Sequence, residues 1–128
     1  MANIIKLGNR PKHFKEIEVA VTLPDGTEGV IPVTFKYKTK PEFGAWQDAM
    51  LKGGGKKMQE GEFSWERFYA EAGVRSAEIL LDIIDAWGLD VPLSKDAILE
   101  LEADCGAGAI PAMFEAFGKA CREGRLGN

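Results

Sequence analysis

The sequence has one histidine, His13, and two cysteines, Cys105 and Cys121, among its 128 residues. A histidine-based acid–base pair or a zinc site built from histidine and cysteine is therefore short of members. The cysteines lack the C-x-x-C spacing of zinc and redox motifs, and both fall within apolar helical patterns. We predict buried, reduced thiols, with a disulfide as the alternative, a solvated His13, no metal and no cofactor.

Long apolar runs are also missing. No segment approaches the roughly 20 residues that a helix needs to cross a bilayer. The composition, 45% hydrophobic and 28% charged, is typical of a globular protein. A chain of this length fits one domain with its own core. We expect a single soluble domain over residues 1–128, located in the cytoplasm, without membrane contact.

An antiparallel β-hairpin is predicted over residues 14–38. Apolar side chains occupy alternate positions on both sides of a turn that contains Gly26, which can adopt the positive φ of a short hairpin loop. Closing this turn places Val19 opposite Ile31 and brings the apolar sets of both strands to one face. Ile17 falls opposite Val33 in the same register.

Charge is unevenly distributed along the chain. Residues 1–57 have ten Lys and Arg against six Asp and Glu, whereas residues 58–128 have six against fourteen. This asymmetry favours contact between copies of the chain or charge complementarity within it. Pro32, which cannot donate a ladder hydrogen bond, predicts an edge or a bulge in the second strand. A small nucleic-acid-binding regulator is an alternative function, using Lys36, Lys38, Lys40, Lys56 and Lys57.

The rest of the chain has helical patterns. Residues 39–52 predict a helix with a capping box at Thr39 and Glu42. Residues 53–61 predict a flexible glycine-rich loop, and residues 62–128 a mostly helical part. With strands first and helices after, we expect an α+β fold with four to five helices.

Within that helical part, three helices can be delimited. The first runs from Ser64 to Trp87 with Gly88 as its C-terminal cap. The second is capped by Ser94 and ends near Cys105. The third extends from Ile110 or Pro111 to about Glu123.

Two groups of residues suggest chemistry but lack its context. Gly53 to Lys57 resembles a phosphate loop, yet it follows a helix, and Met58 stands where Ser or Thr should hold magnesium. Asp82 and Asp85 would share the polar face of one helix, which favours a solvated stripe over a carboxylate pair. We therefore expect no catalytic residues.

The three tryptophans, Trp46, Trp65 and Trp87, lie in amphipathic helical patterns. Core packing is the simpler interpretation of such positions. Tryptophan is also enriched among the residues that dominate protein interfaces, so any of the three is a candidate partner contact.

The connector from Asp82 through Trp87-Gly-Leu-Asp-Val-Pro-Leu-Ser94 to Leu101 resembles that of the tail assembly chaperones of long-tailed bacteriophages and prophages. The closing residues Gly124-Arg-Leu-Gly-Asn128 are similar to the short basic C-terminus of that family. The hairpin followed by Tyr37-Lys-Thr-Lys-Pro41 agrees in outline, so the resemblance spans residues 14–128.

The resemblance implies a non-enzymatic protein that binds the long, helical, aggregation-prone tape measure protein. It would keep this client soluble until tail-tube subunits polymerise around it, and it would be absent from the finished virion. Helix-in-groove contact is a reasonable mode for such a client. A structural tail or head–tail connector protein is the alternative within phages. The residues predicted to contact the client are Trp87, Leu89, Val91, Phe114 and Phe117.

Overall fold

The computed structural model describes residues 4–8, 10–54 and 63–123. An antiparallel hairpin is followed by four helices and a short third strand in this part of the chain, which confirms the α+β prediction. The elements in chain order are β1 (Ile17–Thr22), β2 (Glu28–Phe35), α1 (Lys40–Gly54), α2 (Trp65–Ile83), β3 (Ile84–Trp87), α3 (Lys95–Cys105) and α4 (Ala109–Glu123).

The hairpin register is the one that the alternation predicts. Val19 pairs with Ile31 and Ile17 with Val33. The Leu23 amide donates to the Thr27 carbonyl oxygen at 2.7 Å, and Gly26 adopts a φ of +88° in the turn. One face of the hairpin is buried as a result, and the other faces solvent.

β2 is the central strand of the three, with β1 and β3 on either side. Its pairing with β3 reaches only to Val33, and the Pro32 carbonyl oxygen then accepts the Gly88 amide at 2.9 Å. Pro32 thus lies where the β2–β3 ladder ends, while it remains paired with Glu18 of β1, so its missing N–H falls beyond the last paired residue of β3. The irregularity in the β2–β3 pairing lies elsewhere, between Thr34 and Phe35.

The prediction of a helix continuing to Trp87 is wrong. α2 ends at Ile83, and residues 84–87 form β3, in which Ile84 pairs with Phe35. The side chain of Phe35 is fully buried. The backbone groups of its strand need partners on both sides, because unpaired N–H and C=O groups are costly away from water. β3 supplies them on the side opposite β1.

The core lies between the inner face of the sheet and the helices. Phe117 of α4 is at its centre, with no exposed surface and with ring contacts to Phe35 at 5.4 Å, Phe43 at 5.8 Å and Trp46 at 5.1 Å between centroids. α4 therefore joins the sheet to α1. Cys121 is buried nearby on the same helix, and burial raises the pKa of its thiol to about 11.

Helix starts follow the local sequence. The Thr39 amide donates to Glu42 Oε1 at 2.9 Å, and the Glu42 amide donates to Thr39 Oγ1 at 3.4 Å, which completes the predicted capping box. These hydrogen bonds hold the pKa of the Glu42 carboxyl below its usual value. Ser94 caps α3 through a bond from the Ala97 amide at 3.1 Å, as predicted.

Other local predictions have mixed outcomes. Both cysteines are free thiols, with Cys121 buried and Cys105 half-buried. The predicted loop at 53–61 falls partly on α1, which extends to Gly54, while residues 55–61 lie outside the described residues. None of the described helices is long and apolar enough to cross a membrane.

Candidate functional site

A groove open to solvent runs between α1, α2 and α4, with a volume of about 840 Å³. A second depression of about 350 Å³ continues it between α1 and α2 and shares Trp46, Met50, Arg75 and Ile79 with it. We call the two together the α1–α2–α4 groove. Its apolar lining residues are Phe43, Trp46, Ala49, Met50, Phe68, Ala72, Ile79, Ala107, Ile110, Pro111 and Phe114.

The floor of the groove is aromatic. Trp46 of α1 lies 6.1 Å from Phe114 of α4 and stacks on Phe43 at 5.7 Å, measured between ring centroids. Trp46 and Phe114 are half-buried, whereas Phe117 beneath them is fully buried. The core aromatic set therefore continues outward into a surface that another molecule can reach.

Arg75 spans the two walls of the groove. Its Nη2 donates to the Met50 carbonyl oxygen at 2.6 Å, which ties α2 to α1. Because the donor is charged, this hydrogen bond between the helices is stronger than one between neutral groups. The other charged lining residues are Glu78, Asp82, Glu102, Glu115 and Arg122.

Four aromatic side chains at the start of α2 form an exposed group, which we call the aromatic cluster: Phe63, Trp65, Phe68 and Tyr69. Their exposed fractions are 50%, 63%, 42% and 66%. Their rings contact each other, with Phe63 and Trp65 edge to face at 4.6 Å and Trp65 stacked on Tyr69 at 5.9 Å. Phe68 also lines the α1–α2–α4 groove, so the cluster and the groove form one continuous surface.

Of these four residues, only Trp65 is a candidate partner contact from the sequence alone. On one face of α2 the spacing of three and four residues between Trp65, Phe68 and Tyr69 also fits a buried apolar face. In the structure the buried residues of α2 are only Ala77, Leu80 and Ile83. The signal was present as four aromatic residues within positions 63–69, but periodicity alone does not tell a buried face from an exposed one.

The connector residues predicted to contact a partner are partly engaged within the protein. The Trp87 indole Nε1 donates to the Val91 carbonyl oxygen at 2.8 Å, which closes the turn after β3. Trp87 and Leu89 are half-buried against the core, and Val91 is 41% exposed. None of these three lines the α1–α2–α4 groove. Their contact with a partner stays a prediction.

The two phenylalanines predicted with them are placed differently. Phe114 lines the groove and is half-buried. Phe117 is fully buried below it, so its side chain supports the floor without reaching the surface. The structure therefore brings Phe114, and not the connector, together with the aromatic cluster.

The other candidate residues are dispersed. Asp82 lies in α2, whereas Asp85 lies in β3. The two residues therefore do not share one helix face, although the sequence pattern indicated that they would. His13 is exposed, as predicted. Among the described residues no group of three or more His, Cys, Asp and Glu side chains could hold a metal ion. Of the lysines considered for nucleic acid, Lys56 and Lys57 lie outside the described residues.

Replacing Trp87 by phenylalanine is expected to lower the free energy of unfolding by about 1 kcal/mol, because the ring remains while the hydrogen bond to Val91 is lost. Urea unfolding measures this. The matched control is Trp65→Phe, whose exposed ring should leave stability unchanged. Partner binding that falls in Trp87→Phe, with stability intact, would instead support the direct contact predicted from the sequence.

The fold and the groove define an α+β protein with an apolar, aromatic surface that is open to solvent. The chain belongs to the phage tail assembly chaperone family, whose family model matches residues 1–128. The resemblance found from the connector is thereby confirmed and extends over the whole chain. Members of this family are generally non-catalytic. Comparison with curated proteins and with solved structures found no match.

Proposed function

We propose that this chain binds the tape measure protein of its phage tail and keeps it soluble until the tail tube assembles around it. It acts by contact and without catalysis, in the cytoplasm of the bacterial host, and it leaves before the virion is complete. The observation that carries this proposal is the aromatic cluster, which lies exposed at the mouth of the α1–α2–α4 groove.

Exposed aromatic groups of this kind are unusual on a surface with no partner. Scattered apolar residues are normal, but contiguous ones mark interaction sites. Tyrosine and tryptophan are enriched at interfaces because they bury large apolar area with few rotatable bonds. Trp65 and Tyr69 are each more than half exposed and stack on one another, so they offer a preformed contact surface.

At the connector, the proposed contacts remain Trp87, Leu89 and Val91. Within the groove, the proposed contact is Phe114. Phe117 supports the groove floor from below. Weak contacts repeated by several copies along one long client would add avidity without strong affinity at any single site.

The experiment is co-expression of this chain with the tape measure protein of the same phage. We expect the client to move from the pellet to the supernatant and to co-purify with this chain. A double variant, Trp65→Ala with Tyr69→Ala, should fold normally and retain about tenfold less client, in line with the loss of interface anchors. Its control is Val30→Ala, an apolar position on the outer face of β2 that is also more than half exposed.

Two results would overturn the proposal. One is a client that stays in the pellet while this chain is folded and abundant. The other is recovery of this chain from purified virions in stoichiometric amounts, which would make it a structural tail or connector protein.

A further inference from the structure

The α1–α2–α4 groove presents side chains to an occupant, but few backbone N–H and C=O groups that still need a hydrogen-bond partner. Its walls are helices, in which the backbone N–H and C=O groups are bonded within each helix. An extended segment placed there would lose water from its own backbone groups and find few partners for them. A helical occupant brings its backbone bonds already formed, and it needs only apolar side chains to enter the groove.

The size of the groove suits a short helical face. Phe43 and Met50 of α1 both line it. They are two turns apart, or roughly 10 Å at the rise of an α-helix. An occupant lying along α1 would present apolar residues at positions i, i+4 and i+7 over that distance. The aromatic cluster adjoins this contact surface through Phe68, which also lines the groove.

The charge around the groove favours an occupant with basic residues on either side of its apolar face. The three helices that form the groove, α1, α2 and α4, have eight acidic residues and six basic ones. Four carboxylates line the groove or its continuation, against two arginines. Arg75, one of the two, keeps its positive charge in its hydrogen bond to the Met50 carbonyl oxygen, so carboxylates outnumber cations in the lining by four to two. An occupant with Lys and Arg beside its apolar face is attracted, and one with acidic flanks is repelled.

We infer that the α1–α2–α4 groove seats a single amphipathic α-helix of the client, with its apolar face on Trp46 and Phe114 and with basic residues on its flanks. The inference rests on the proposed function and adds to it the place of binding, the conformation of the bound segment and its charge. Basic amphipathic segments of the tape measure protein are then the parts that this chain covers.

The first test uses a designed helical peptide of about 18 residues, or five turns, with a leucine face and lysine flanks. Binding is measured by fluorescence anisotropy of the labelled peptide. Two controls have the same leucine face with glutamate flanks, and the same composition with the leucines scattered. We expect binding of the lysine-flanked helix alone, weakening as salt rises because exposed charges are screened.

Two substitutions locate the site. Ala72 is an exposed residue of the groove wall. The substitution Ala72→Lys places a long, positively charged side chain at the groove, and lysine is a good helix former, so α2 should be retained. The matched control is Ala70→Lys, exposed on the same helix but outside the groove lining. We expect Ala72→Lys to weaken peptide binding about tenfold or more, and Ala70→Lys to change it little.

The charge is tested separately. Glu115→Lys reverses a lining carboxylate on α4, whereas Glu100→Lys makes the same change at an exposed position of α3 outside the lining. Reversal of one exposed charge should weaken binding of the lysine-flanked helix about fivefold and strengthen binding of the glutamate-flanked one. Glu100→Lys should have the smaller effect.

The outcomes separate the inference from the proposed function. If the wild-type chain retains the tape measure protein and Ala72→Lys retains as much, with circular dichroism showing both folded, the groove is not the seat and the function stands. If the wild-type chain does not retain the tape measure protein, the proposed function is wrong. Binding of the peptides then shows by itself whether the groove accepts a basic amphipathic helix. Equal binding of all three peptides, or of none, overturns the inference.

Discussion

Replacing Phe117 by alanine is expected to lower the free energy of unfolding by about 3–5 kcal/mol, the usual cost of removing a buried aromatic ring. Phe117 has no exposed surface, and its ring contacts Phe35 of the sheet as well as Phe43 and Trp46 of α1. Truncation leaves a cavity where these elements meet, and their rigid rings cannot all move in to fill it. Chemical denaturation followed by circular dichroism measures the loss.

The matched control is Phe63→Ala, which removes the same ring from a position that is 50% exposed. Its unfolding free energy should change by less than about 1 kcal/mol, because most exposed substitutions are near neutral. The two variants also distinguish a residue that stabilises the fold from a residue that contacts the client. Phe117→Ala should lose client together with stability, and Phe63→Ala should lose client alone. Equal stability of the two would contradict the core described for α4.

Replacing Gly88 by alanine is expected to cost about 1–3 kcal/mol, as overpacking does. A Cβ at this position would lie 2.9 Å from Pro32 Cβ and 3.1 Å from Pro32 Cγ. The proline ring cannot rotate away, and the Gly88 amide is itself bonded to the Pro32 carbonyl oxygen at 2.9 Å. The strain must therefore move β2 or the connector.

Gly44→Ala is the control for that prediction. Gly44 lies inside α1, and a Cβ there meets no atom within 4 Å. Alanine should stabilise the protein by about 0.5–1 kcal/mol, because glycine loses more conformational freedom in a helix. Thermal unfolding of the two variants should therefore shift in opposite directions. A Gly88→Ala protein as stable as the parent would mean that the connector is not pressed against β2.

These contacts give the connector a role in stabilising the fold. Trp87 and Gly88 belong to the motif on which the family resemblance rests, and in the structure they tie the end of β3 to Val91 and to Pro32. A motif that identifies a family can thus reflect how the chain folds. The surface that other molecules can reach lies instead at the groove and the aromatic cluster.

The sequence by itself determined the features that depend on near neighbours. The register of Val19 with Ile31 follows from strict alternation around a short turn, since a slip by one residue would expose every apolar side chain. The caps at Thr39 and Ser94 follow from side chains that reach amides three residues away. The family was also readable, because its motif is local.

The tertiary structure alone decided which apolar faces are covered. Ile84 continues the helical spacing of Leu80, yet it forms a strand because β2 needs a partner on its second side. Trp65 and Phe117 both fall on the apolar face of a helical pattern in the sequence, yet one is 63% exposed and the other fully buried. Periodicity describes one helix at a time, whereas burial depends on what distant segments pack against it, so the groove could be seen only in the assembled fold.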